Sequence, residues 1–164
     1  MDWDKTLSPE VQQVPTVEIK KLYEDSQLPY LGSAGAAGYD LFAYIKQDDQ
    51  PSHVIIPAHQ TVKISTGLAM AIPPEYEGQI RPRSGLATKQ GLRPANTPGT
   101  IDSDYRGPVI VALHNDGEVE QCVEHGERIA QICFKQVPLL NIIEVDELDE
   151  TDRGSGGFGS TGIK

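Results

Sequence analysis

The chain has 164 residues, room for one domain with a sizeable core, and its 38% hydrophobic and 23% charged content is ordinary for a globular protein. A formal net charge of −10 excludes the broad basic surface on which duplex nucleic acid is neutralised. The lack of any apolar run of about 18 residues argues against a membrane span, and the polar, acidic start Met1-Asp2-Trp3-Asp4 against a secretory leader.

The first sixteen residues, with Pro9 and Pro15, have little periodicity and read as a loosely held extension. Apolar content rises from Val17. Short β-branched runs at Val54–Pro57, Val62–Thr66, Leu68–Ile72, Pro108–Leu113, Ile129–Phe134 and Asn141–Val145 are separated by Gly, Pro, Asn or Asp and predict strands. A short helix is expected around Leu86–Gln90, but no window of about a dozen residues keeps a helical apolar stripe. The predicted fold class is therefore all-β, a jelly-roll-like barrel or sandwich with at most one short helix, its domain spanning 17–150.

The end of the chain changes character twice. Glu144, Asp146, Glu147, Asp149, Glu150 and Asp152 read as a solvated strand end and linker. Arg153 then opens a segment with five glycines in ten residues, so 151–164 is expected to be a flexible tail. Cys122 and Cys133 suit neither a redox pair nor a zinc knuckle. They are expected to be buried as small apolar residues and point to a reducing, cytoplasmic setting, or a nuclear one in a eukaryote.

Three segments carry candidate chemistry. Gly154-Ser-Gly-Gly-Phe-Gly159 matches GxGxxG literally, but a dinucleotide fingerprint opens a helix and continues into a βαβ unit, for which too few residues follow. The glycines would instead let backbone N–H groups approach phosphate oxygens, with Arg153 as a charged fork. Arg81-Pro-Arg-Ser-Gly85 crowds two guanidinium groups, a hydroxyl and a glycine together, as a phosphate grip needs. Gly99-Thr-Ile-Asp-Ser-Asp-Tyr-Arg-Gly107 sets two carboxylates beside a phenol between glycines suited to a tight hairpin. One acid could activate a water: Asp102 is the better candidate and Asp104 a turn residue, although spacing alone does not choose. His53, His59, His114 and His125 have no zinc-ligand spacing, and neither a phosphate-binding GxxxxGK loop nor a GxSxG elbow is present.

Taken in order, Ala37-Gly-Tyr-Asp-Leu41, Pro82-Arg-Ser-Gly-Leu-Ala87, Gly99–Gly107, Gly126-Glu-Arg-Ile-Ala-Gln131 and Arg153–Gly162 resemble the five motifs of the trimeric dUTPases. The departures are small: Glu127 stands where Asp is frequent, and Pro98 precedes the third motif. The resemblance implies hydrolysis of dUTP to dUMP and pyrophosphate, limiting uracil in DNA and supplying dUMP for dTMP synthesis. Asp102 would orient the water that attacks the α-phosphorus. Tyr105 would stack under the deoxyribose and exclude a 2′-hydroxyl, and Asn96 with the Thr100–Ile101 backbone would read uracil, with Ile110 also lining the substrate. Arg83, Ser84, Gly85 and Gln131 would hold the phosphates. Asp40 would support Mg2+ through water, the ion being held mainly by the phosphates. Arg153 would reach the γ-phosphate and Phe158 cover the base, with Gly159 and Ser160 completing the closing tail. The family's homotrimer, with exchanged C-terminal tails, would build each site from several chains.

Two other readings fit part of this pattern. A dCTP deaminase shares the fold and the Arg-Ser turn, but needs a glutamate for its water, and no Glu lies between Glu77 and Glu118. A nucleotide-gated trimer that binds regulatory proteins would use every motif without turnover.

Overall fold

The computed structural model describes residues 14–45 and 52–157. Among them the chain forms β1 (Glu18–Lys21), β2 (Tyr30–Leu31), β3 (Tyr39–Phe42), β4 (His53–Ile56), β5 (Thr61–Ala71), β6 (Tyr76–Arg81), α1 (Ser84–Gln90), β7 (Leu92–Pro94), β8 (Gly99–Ile101), β9 (Pro108–Asn115), β10 (Gln121–Glu124) and β11 (Arg128–Gln136). These strands make a four-stranded sheet, β1-β5-β9-β7, a five-stranded sheet, β2-β3-β11-β6-β8, and a small pair, β10-β4. Every pairing is antiparallel. The fold is all-β with one short helix, of jelly-roll type, as the spacing of short strands predicts.

The core lies between the sheets because alternate side chains point inward. On β9, Val109, Val111 and Leu113 are buried, with Asn115 ending the series. From the five-stranded sheet, Leu41, Ile80, Ala130 and Ile132 meet them, with Tyr39, Ile101 and Phe134 packed at the margin. Asn115 is fully buried but satisfied. Its Nδ2 donates to the carbonyls of Ile56 (3.0 Å) and Val119 (2.8 Å), and its Oδ1 accepts from the N–H of Gly117 (2.9 Å).

Four expectations need correction. The separate strands expected at Val62–Thr66 and Leu68–Ile72 are one strand, β5. Gly67 between them has φ +69° and marks an irregularity in the pairing with β9, a role that glycine fills without strain. Asn141–Val145 forms no strand, and Ile142 is 94% exposed; β-branched residues make a strand only with a neighbour to pair with. The segment around Gly99–Gly107 is not a hairpin, because β8 pairs with β6 in one sheet while β7 and β9 pair in the other. It is a crossing between sheets. Finally, Cys133 is buried but Cys122 is exposed, since its neighbour Val123 takes the inward position on β10.

Candidate functional site

Strand register assembles the first part of the site. Tyr30 is opposite Asp40, Asp40 opposite Gln131, and Gln131 opposite Arg81, so four residues distant in sequence stand in one row across the five-stranded sheet. Directly paired residues share a face. This face is the one turned away from the core, because the adjacent positions Leu41, Ile132 and Ile80 point inward. Where β6 ends, Pro82 turns the chain into α1 and brings Arg83, Ser84 and Gly85 beside the row. Asp40, Arg83, Ser84, Gly85 and Gln131 line one cleft of about 190 Å³.

The cleft is held by polar contacts. Asp40, 14% exposed, accepts from Nε of Arg83 at Oδ1 (2.9 Å) and from Nη1 of Arg128 at Oδ2 (3.1 Å). Arg83 also donates from Nη1 to the carbonyl of Arg128 (3.2 Å). Its Nε and Nη1 are thus engaged, while among the described residues Nη2 makes no hydrogen bond and keeps its donors for a ligand. Hydrogen bonding to Asp40 raises the already high pKa of Arg128.

Gln131 donates from Nε2 to the carbonyl of Pro82 (2.7 Å), tying β11 to the turn before α1. Gly38 makes room for it: a Cβ there would run into Oε1 of Gln131 and lie 3.0 Å from its Cδ. At α1 the cap residue Arg83 makes no side-chain cap hydrogen bond, and the first turn has no acid. Next to Gly85 nothing stands within 4 Å of a Cβ position, so its backbone faces open space. Backbone N–H groups left in this state suit an anionic oxygen.

The second part runs along β8, whose Gly99 stands opposite Ile80. Ile101 pairs with Gly78, about 10 Å from Arg81 at about 3.3 Å per residue. Because β8 and β6 are antiparallel, the chain leaves β8 towards Asp102 in the direction opposite to its exit from β6 towards Arg83. Asp102 is exposed, as are Asn96 and Thr100, while Ile101 is half-buried. A tight turn follows, in which the N–H of Tyr105 donates to the carbonyl of Asp102 (3.2 Å). Arg106 fastens it from Nη1 to the carbonyls of Ser103 (2.6 Å) and Tyr105 (2.9 Å). The Tyr105 hydroxyl donates to the carbonyl of Pro108 (3.0 Å), and Gly107 is what lets the ring fold back, since a Cβ there would collide with it. Tyr105 and Ile110 remain 41% and 45% exposed. Before β8, Gly99 leaves space for Asn96, whose Nδ2 lies 3.1 Å from a would-be Cβ.

Within one chain, therefore, Asp40, Arg83, Ser84, Gly85 and Gln131 come together, whereas Asn96, Thr100, Ile101, Asp102, Tyr105 and Ile110 do not join that cleft. Arg153 is exposed and donates from Nε to the carbonyl of Gly156 (2.9 Å) in a local turn. Phe158, Gly159 and Ser160 lie outside the described residues. Sequence reasoning gave no role to Arg128, Gly38 or Arg106, and took Gly107 only as a hairpin glycine. The glycines were visible inside motifs, but what each clears is defined only by the fold.

As to a metal, no group of three His, Cys, Asp or Glu positioned for an ion occurs among the described residues. Both Asp40 oxygens accept from guanidinium groups, leaving lone pairs for water but no chelating set. These donors fit an ion that arrives on a ligand's phosphates and touches the protein through water.

Comparison with known proteins identifies the family. The dUTPase family model matches residues 24–162. A deoxyuridine 5'-triphosphate nucleotidohydrolase of Hydrogenobaculum sp. (strain Y04AAS1) is 49% identical over 146 residues, 89% of this chain and 97% of that protein. One from Caulobacter vibrioides is 47% identical over 139 residues, covering 85% and 88%. Among solved structures, a Staphylococcus bacteriophage 80alpha dUTPase with dUPNHPP superposes with a TM-score of 0.79 at 26% identity, covering 90% of this chain and 99% of that one. The chain belongs to the dUTPase family.

Proposed function

We propose that this dUTPase-family chain hydrolyses dUTP to dUMP and pyrophosphate, at a site completed by more than one copy of itself. The observation that carries the activity is the cleft of Asp40, Arg83, Ser84, Gly85 and Gln131. It concentrates phosphate-binding donors in a protein whose net charge is −10. The relatives named as deoxyuridine triphosphate nucleotidohydrolases support the same substrate.

The reaction divides the residues by role. Asp102 accepts a proton from a water as its oxygen bonds to the α-phosphorus, and the bond from that phosphorus to the α,β-bridging oxygen breaks to release pyrophosphate. Arg83, Ser84, Gly85 and Gln131 hold the phosphates in line and stabilise the charge that moves to the leaving group. Magnesium carried by the triphosphate, with Asp40 behind it through water, supplies further neutralisation when bound. Asn96 and the Thr100–Ile101 backbone read the uracil edge, a polar match that strands buried groups when cytosine is offered. Tyr105, its hydroxyl anchored to Pro108, walls the sugar, and Ile110 flanks it.

Reacting atoms must sit about 3–3.5 Å apart. The opposed exits of β6 and β8 support a site in which Asp102 of one copy meets Arg83 of another. Residues beyond β11 favour such assembly, because Leu139, Leu140, Ile142 and Ile143 are strongly exposed and soluble monomers rarely display so much apolar surface. A homotrimer of shared sites, closed by Arg153 and Phe158 of an exchanged tail, satisfies both features, and a free-nucleotide substrate is compatible with a cytoplasmic setting, or a nuclear one in a eukaryote. The test is pyrophosphate release from dUTP, dCTP, dTTP and UTP, with and without magnesium. Release from dUTP alone, stimulated by magnesium, is expected; ammonia from dCTP would overturn the assignment.

A further inference from the structure

Arg128 sits where strand alternation alone would not put it. From Ile132 back to Ala130, β11 and β3 stay in step, Ile132 facing Tyr39 and Ala130 facing Leu41. The register then shifts, and Arg128 pairs with Phe42. Ile129 and Ala130 are both fully buried, two consecutive residues turned to the core against a single Leu41. Without this bulge Arg128 would share the inward face of Ala130 and Ile132. With it, the guanidinium comes out on the face of Asp40 and Tyr30, and one function of a bulge is to re-aim a side chain in this way.

We propose that Arg128 is a positioning residue for the phosphate end of the site, acting through Asp40 on Arg83. Two features separate this from direct substrate binding. Arg128 does not line the cleft, and its Nη1 is already turned to Asp40 (3.1 Å) and to the Tyr30 hydroxyl (3.4 Å). Asp40 is a carboxylate beside a cleft meant for a polyanion, which on charge alone repels the ligand. A guanidinium on each of its oxygens converts that liability into a frame: Arg128 fixes Oδ2, Oδ1 then fixes Nε of Arg83, and the Arg128 carbonyl fixes Nη1. The group of three carries net positive charge, and Arg83 is left with its outer N–H groups aimed at phosphate.

This inference rests on the phosphate-binding role given to the cleft above, and the experiment separates the two. In the full chain, Arg128→Gln is expected to raise KM for dUTP about tenfold while kcat stays within about threefold. Arg128→Lys, which keeps the charge and loses the fork, should recover part of the KM and serves should the glutamine variant fold poorly. The decisive readout is a double-mutant cycle. In an Asp40→Asn background, Arg128→Gln should cost less than about twofold more, because its route to Arg83 is already cut. An equal rise in both backgrounds, or an unchanged KM in folded Arg128→Gln, overturns the proposal. If the unmodified protein released no pyrophosphate from dUTP, the activity would fall instead. The same cycle would then be read from the affinity for inorganic pyrophosphate.

Discussion

The cleft at the Arg81 end of β6 and the stretch that runs along β8 into the next turn are built differently. At the Arg81 end, residues from β3, β6, α1 and β11 converge: Arg83 and Arg128 both hold Asp40, and Gln131 holds the Pro82 carbonyl. Along β8, which enters opposite Ile80 and leaves beyond Gly78, a contiguous stretch from Asn96 to Tyr105 crosses between sheets and leaves Asn96, Thr100, Asp102 and Tyr105 exposed. The first group is held together by contacts within one chain, whereas the second is turned outward. A grip on charge needs preorganised donors, whereas a base that must touch water can wait at an open surface until assembly excludes bulk solvent.

Substitutions that act on one group only would sharpen this contrast. The largest effect is expected from Asp102→Asn, which should lower kcat about a thousandfold with KM nearly unchanged, since the carboxylate acts on the water and not on the nucleotide. Mixing it with Arg83→Ala, each inactive alone, should restore about a quarter of wild-type activity if the two groups meet between copies. No recovery after co-refolding would place both groups in one chain and break the comparison.

A smaller effect is expected at the preformed cleft. Gly38→Ala should push the flexible end of Gln131 aside and press on the buried Cys133 Sγ (3.2 Å), raising KM about fivefold with a modest loss of thermal stability and kcat almost intact. A large fall in kcat with unchanged KM would mean that Gln131 serves the water and not the phosphates.

The smallest effect lies away from both groups and acts as a control. Arg93 donates to Asp116 from Nε (2.5 Å) and Nη2 (3.0 Å), and this hydrogen bonding holds the Asp116 carboxyl below its usual 3.8. A lowered folded-state pKa stabilises the fold fully above the unfolded value, and the contribution is lost as pH falls through the folded one. Arg93→Gln should therefore raise the Asp116 pKa in an NMR titration and narrow the acid-stability window slightly, without altering kcat or KM. A changed KM would tie this rim to the site.

How much of this was legible beforehand depended on how local each signal was. The strands at Val54–Pro57, Pro108–Leu113 and Ile129–Phe134 were readable because β-branched runs bounded by turn residues carry their own pattern. β2, β7 and β8 are two or three residues long and exist only through their partners, so nothing in their composition announced them. Asn141–Val145 shows the converse, a strand-like composition lacking a pairing partner within the chain. The motif segments marked Asp40, Arg83, Asp102 and Gln131 because residue type and order are written in the chain. Their grouping is not.

By itself the sequence determined the all-β class, the one short helix, the family resemblance and the residue types able to grip phosphate or take a proton from water. Those follow from chain-local chemistry: turn formers, alternation, charge and functional groups at fixed spacing. Only the tertiary structure decided that Asp40 is shared by two arginines, that a bulge at Ile129 and Ala130 delivers Arg128 to it, and that Asp102 leaves its sheet away from Arg83. Register is the physical reason. Which residues stand opposite one another depends on pairings tens of positions apart, and a shift of one residue turns a side chain from core to site.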